Sequence, residues 1–165
     1  TPLIEGIRLP HVCSAAQILM GEVEPKDNAL VIGAGLVGLE TADYIRARGS
    51  NNLKVIEMLP EKQVNPATTH GYMLYKRLKH AGYSLMFNTQ VKRIEESSVK
   101  VCINSKEQML SPVDQVIIAV GVTPRSDLKD VLKERGIPHH VVGDALKARR
   151  IMEATEEGGK AAWEL

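Results

Sequence analysis

The sequence predicts an α/β fold built on a buried parallel sheet, and three observations carry that expectation. Two apolar runs, "ALVIG" at 29–33 and "DQVIIAVG" at 114–121, have the unbroken character of strands covered on both faces. Only 4% of residues are aromatic against 44% hydrophobic, so the core must be aliphatic. Between the first run and an amphipathic stretch stand three glycines, Gly33, Gly35 and Gly38.

In chain order, residues 1–12 are loop-like, with two prolines. Residues 14–22 form a short helix capped by Ser14, and 23–28 a polar linker. The strand at 29–33 leads into a helix at 36–48, whose stripe is Leu36, Val37, Leu39, Ala42 and Ile45 and whose C-terminus Gly49 closes. A second strand lies at 53–57. A helix follows at 67–81, with Met73, Leu74, Leu78 and Ala81 as its buried stripe. Four strand-like runs, "YSLMF", "QVKRIEE", "SVKVCIN" and "QMLS", with turn signals at 97–98 and 104–107, suggest an antiparallel meander. After the strand at 114–121 come a helix near 126–135, a strand "HHVVGD" at 139–144 and a last helix near 149–163.

Bulk properties narrow the function. With 21 basic and 20 acidic residues the net charge is +1, and no basic stripe with interleaved aromatics supports nucleic-acid binding. No uncharged run approaches the ~20 residues that span a bilayer. Cys13 and Cys102 have neither redox nor zinc spacing and read as ordinary small buried residues, which fits a cytoplasmic setting. The opening "TPLIEGI" reads as mid-chain sequence, so a piece of a longer chain is expected.

The glycines spell G-x-G-x-x-G directly after a strand and at the start of a helix, and 19 positions after Gly38 an acid, Glu57, ends the next strand. That context is the dinucleotide fingerprint of a Rossmann-like fold. Gly33 permits the tight turn, Gly35 lets the backbone approach the pyrophosphate, and Gly38 lets the helix pack on the sheet. The helix N-terminus offers unpaired N–H groups and a positive dipole end to phosphate. Glu57 can accept from both adenosine ribose hydroxyls and would repel a 2′-phosphate. Met58, Leu59 and Pro60 bring no cation and Lys62 is the nearest one, so NAD(H) is favoured over NADP(H). A phosphate loop would need Lys where Leu39 stands, and a methyltransferase-like loop an acid where Val31 stands. Tyr72 and Lys76 form a Y-x-x-x-K pair, placed too early for a short-chain dehydrogenase and read as a helix face.

On these residues the chain resembles a known group. "ALVIGAGLVGLETADYIRARG…LKVIEMLPE" is similar to the nicotinamide-nucleotide domain of the two-dinucleotide-domain flavoproteins, and "VIIAVGVTPRSDL" to their ATGxxPN strand-and-turn motif. "HHVVGDALKARRIMEATEEGGKAAWEL" resembles the segment that returns to the FAD domain. With the opening P-x-x-x-G-I…P-H-V…GE, it most resembles the C-terminal part of the old-yellow-enzyme-like iron–sulfur flavoenzymes of the enoate reductase and 2,4-dienoyl-CoA reductase group, often called NADH:flavin oxidoreductase or NADH oxidase.

The resemblance implies an NAD(H)-binding domain at 25–122, preceded by a residual FAD-domain strand and linker at 1–24 and followed at 123–165 by the segment returning to the FAD domain. It implies that Gly33, Ala34, Gly35, Leu36, Val37, Gly38, Glu57 and Met58 hold the nucleotide. Glu40 takes the family position near the nicotinamide, although an exposed acid favoured by the helix dipole is an equal reading. Gly121 and Pro124 would shape the turn beside the nicotinamide, and Asp144 would face FAD. Arg125, Ser126 and Ala148 depart from the family's usual residues. The parent would carry FAD, with FMN and an iron–sulfur cluster on a TIM barrel, and would reduce an activated C=C bond with hydride passed from nicotinamide to flavin. Partners would be the missing FAD domain and barrel, with homo-oligomers through exposed FAD-facing surface. A non-catalytic nucleotide-binding or structural module is the alternative from another class.

Other polar residues point to no chemistry of their own. His139 and His140 would face opposite sides of a strand, and His70 and His80 are off ligand spacing. Gly158 and Gly159 call for a close backbone contact or a helix break. No catalytic residue and no metal ligand is expected, since hydride transfer belongs to the cofactors.

Overall fold

The structure, a computed structural model, describes residues 3–50, 52–61, 69–121 and 123–164. The chain divides into two compact units, Pro2–Val120 and Gly121–Leu165. Lys62, the first two residues of the expected helix at 67–81 and the expected boundary residue 122 lie outside the described residues.

In the first unit, five parallel strands form the central sheet: β1 (Val12–Ser14), β2 (Ala29–Ile32), β3 (Lys54–Ile56), β4 (Ser84–Met86) and β8 (Gln115–Ile118), in the order β1-β8-β2-β3-β4. Three antiparallel strands, β5 (Thr89–Ile94), β6 (Val99–Ile103) and β7 (Lys106–Leu110), form a separate sheet. The fold is therefore a Rossmann-like α/β arrangement with a meander, as the sequence predicts.

Alternation along each central strand sends side chains to two cores. Ala29, Val31, Val55 and Ile117 pack under α1 (Ala15–Leu19), α2 (Leu36–Ala47) and α3 (Thr69–His80) with Ile18, Leu39, Ala42, Ile45, Leu74 and Leu78. Leu30, Ile32, Ile56 and Val116 meet Ile94, Val99 and Val101 of the meander on the other face. With both faces covered, the central strands read as unbroken apolar runs.

Local signals work where expected. Ser14 caps α1 through a reciprocal capping box with Gln17, and Gly49, at φ +88°, closes α2. Asn104 and Ser105, both at positive φ, make the two-residue turn joining β6 to β7.

Several expectations are corrected. "YSLMF" is not a meander strand, because Ser84–Met86 pairs parallel with β3 and the meander has three strands. The opening segment is not loop throughout, because Val12–Ser14 form β1, which pairs parallel with β8. On α3 Met73 is exposed, as is Ala81 just beyond the helix, and Gly71 joins Leu74 and Leu78 on the buried side. Leu36 and Val37 at the start of α2 are exposed rather than core.

In the second unit, α4 (Asp127–Glu134) and α5 (Ile151–Trp163) flank a short 3-10 turn, Gly143–Ala145. "HHVVGD" forms no strand: its last two residues enter that turn, which leaves no strand to place His139 and His140 on opposite faces. His139 Nδ1 meets the Ile137 carbonyl at 2.8 Å, and His140 Nδ1 lies 3.8 Å from Glu164. Gly158 and Gly159 sit in unbroken helix, with open space where a Cβ would be. Nothing in the described residues explains them.

Candidate functional site: the carboxyl edge of the parallel sheet

From β2 the sheet extends one way through β3 to β4, and the chain then returns to place β8 on the other side of β2. The reversal leaves a crevice at the carboxyl ends of β2 and β8, where open α/β sheets bind ligands. The glycine loop stands there.

Gly33 has φ +106°, and a Cβ on it would lie 2.6 Å from the Ala119 carbonyl oxygen at the end of β8. A Cβ on Gly38 would fall 2.0 Å from the Gly33 carbonyl oxygen, so the helix can approach the loop this closely only without a side chain. Gly35 differs: nothing lies within 4 Å of its missing Cβ, and its φ of −65° suits any residue. Two glycines are thus required by the fold, and the third keeps space open above the loop. Gly35 is also the N-cap of α2 and brings no side-chain acceptor to the helix's first N–H groups. Together these make a cradle that fits a dinucleotide pyrophosphate.

The acid is held against this loop. Glu57 Oε2 accepts from the Ala34 N–H at 2.9 Å, and Oε1 accepts from the Leu59 N–H at 3.0 Å. Its backbone is pinned too: Glu57 N–H donates to the Met86 carbonyl and its carbonyl accepts from the Thr89 N–H, both at 2.8 Å. Each carboxylate oxygen keeps acceptor capacity for a ribose hydroxyl. Leu36, Val37, Met58 and Leu59 expose apolar surface around the loop. No cation stands among residues 58–61.

Glu40, half-exposed, lies 3.2 Å from His70 Nε2 on the start of α3. One turn on, Asp43 binds Arg77 at 2.6 Å and Arg46 at 2.9 Å. His70 was not distinguishable by spacing, since 30 residues separate it from its partner. Ala119, the other wall of the loop, carries no sequence signal either, because its contribution is a backbone oxygen. Tyr72 and Lys76 lie on one helix face, with the ammonium 5.1 Å from the ring centroid, as expected of an exposed surface.

Gly121 has φ +64° and is exposed, as is Pro124. Asp144, also exposed, accepts from the Arg149 N–H at 3.3 Å. The preceding Gly143 N–H donates to Glu157 at 2.8 Å, and Arg149 pairs with the same carboxylate. Arg149 first, then the Gly143 N–H, holds the Glu157 carboxyl below its usual range. Burial pushes the Cys13 thiol up to about 11, so it stays protonated and unreactive near neutral pH. Among the described residues no helix is long and apolar enough to cross a membrane.

Comparison with known proteins agrees with this geometry. The family model for pyridine nucleotide-disulphide oxidoreductases matches residues 2–145. A bilirubin reductase of Mediterraneibacter gnavus is 34% identical over 162 residues, covering 98% of this chain and 25% of the relative. An NADH oxidase of Thermoanaerobacter brockii is 28% identical over 170 residues, covering 100% of this chain and 26% of the relative. The chain thus spans about a quarter of the length of these relatives. Among solved structures, a 2-naphthoyl-CoA reductase superposes with a TM-score of 0.85 at 22% identity, over 100% of this chain and 25% of that one. A histamine dehydrogenase from Rhizobium sp. 4-9 gives 0.76 at 20% identity, over 100% of this chain and 26% of that one.

Proposed function

Because the chain belongs to the pyridine nucleotide-disulphide oxidoreductase family, we propose that it is the NAD(H)-binding part of a larger FAD-dependent oxidoreductase. The observation that carries this reading is the cradle at the carboxyl edge, with Gly35 open above the loop and Glu57 held against it. Leu36, Val37 and Gly38 would offer backbone N–H groups to the pyrophosphate, Gly33, Ala34 and Gly35 would shape the loop beneath it, and Glu57 and Met58 would hold the adenosine end. A carboxylate beside the ribose with no cation among residues 58–61 favours NAD(H) over NADP(H).

The nicotinamide, when bound, supplies hydride for a flavin. The residues of this chain would bind and orient: helix N–H groups would donate to the phosphate oxygens and the Glu57 carboxylate would fix the ribose. Glu40 would lie toward the nicotinamide end, Gly121 and Pro124 would shape the family's strand-and-turn motif, and Asp144 would face the FAD. On this reading residues 1–24 and 123–165 belong to the FAD-domain side and 25–122 to the NAD(H) side.

The parent would reduce an activated C=C bond, with FMN and an iron–sulfur cluster on a barrel beyond this segment. The bilirubin reductase among its relatives supports a reductase activity for the parent. It would work in the cytoplasm, and copies would pair through surface meant for the FAD domain.

Parallel calorimetric titrations with NADH, NADPH and FAD test the reading. NADH should bind more tightly than NADPH, Gly35→Val should abolish binding, and Glu57→Arg should move the NADPH-to-NADH affinity ratio upward. Absence of NADH and NADPH binding would sink it. Equal binding of NADH and its adenine half would favour a non-catalytic module.

A further inference from the structure

We infer that Glu57 is a positioning residue for the glycine loop as well as a ribose ligand, so that recoding it for another cofactor lowers affinity for every nucleotide that uses the loop. This rests on the reading that the cradle takes a nicotinamide dinucleotide. The carboxylate bridges two backbone segments: Oε2 takes the Ala34 N–H, inside the fingerprint, and Oε1 takes the Leu59 N–H, in the turn after β3. A second tie runs alongside, from the Gly33 N–H to the Ile56 carbonyl at 2.8 Å. The bridge has a firm base, since the Glu57 backbone is bonded on both sides to Met86 and Thr89, and the Asn88 N–H reaches the Leu59 carbonyl at 3.2 Å.

Two consequences follow from the chemistry. The Ala34 N–H is committed to Glu57, so the N–H groups left for phosphate are those further into α2, and the carboxylate aims them by fixing the loop. Hydrogen bonds to an ionised acceptor are stronger than neutral ones, so losing this one frees the loop more than losing an ordinary turn bond would. A basic replacement cannot accept either N–H. A glutamine has one acceptor oxygen and can keep one of the two bonds.

The test separates the loop from the ribose with a ligand that has no ribose contact to lose: an NADH analogue whose adenosine ribose lacks both hydroxyls. The full chain, Glu57→Ala and Glu57→Gln are titrated with NADH and with this analogue. Amide hydrogen exchange of Ala34 and Leu59 is followed by NMR without ligand. Glu57→Ala should weaken the analogue by about tenfold and speed exchange at both amides by about as much. Glu57→Gln, which guards against a misfolded alanine variant, should speed exchange at one amide more than at the other. Analogue affinity equal to that of the unchanged protein, or unchanged exchange at Ala34, would overturn the positioning role. If the unchanged chain binds no NADH, the nucleotide reading fails instead, and exchange at Ala34 alone decides whether the bridge holds the loop.

Discussion

Glycines of one motif have unequal reasons at the residue scale. Gly33 and Gly38 are forced by backbone atoms 2.6 and 2.0 Å from where a Cβ would stand, whereas Gly35 faces open space. Stability and binding should therefore come apart. Gly38→Ala should cost about 3 kcal/mol, because the neighbour it strikes is a backbone oxygen that cannot swing aside. Gly35→Ala should leave stability within about 0.5 kcal/mol of the unchanged protein, yet weaken NADH. Thermal denaturation with a parallel NADH titration reads both. The sequence makes all three glycines and Glu57 visible as a motif. It does not show that Glu57 would reach back to Ala34, since that contact joins strand ends 23 residues apart. Leu36 and Val37 mislead for a physical reason: they fit the apolar period of α2 but stand at its mouth, where apolar surface can meet a ligand instead of the core.

Elements were readable wherever their period was strong. The runs that became β2 and β8 are apolar throughout, and α2 carries both its stripe and a glycine stop. β4 was misplaced because one exposed serine followed by two partly buried apolar residues does not reveal whether the partner runs parallel or antiparallel; only the sheet decides. "HHVVGD" has strand-forming valines but pairs with no strand among the described residues, and its Gly143 takes φ +60°, which turns the chain. The α5 glycines, expected to mark a contact or a break, do neither. Gly158→Ala and Gly159→Ala should each raise stability by about 1 kcal/mol, since a methyl has room at both positions and alanine favours helix. Denaturant melts of the single and double variants check this. A loss of stability would mean that these positions are covered by something not seen among the described residues.

For the whole molecule, the crevice joins distant parts of the chain. Its two walls are the end of β2 and the end of β8, strands whose flanking residues Asn28 and Asp114 meet across 86 positions. Between them in sequence lies the meander, which caps one face of the central sheet before the chain comes back. Such an arrangement orders events in time. Closing so long a segment is an entropic cost met before the contact gives anything back, which places the pairing of β8 with β2 late in folding. A nucleotide held by both walls then has nothing to grip on the way up the barrier. In stopped-flow experiments NADH should leave the refolding rate nearly unchanged and slow unfolding, by a factor that grows with its concentration above Kd. The groove would be the last part of the molecule to arrive, and its ligand would act as a latch on a door already shut.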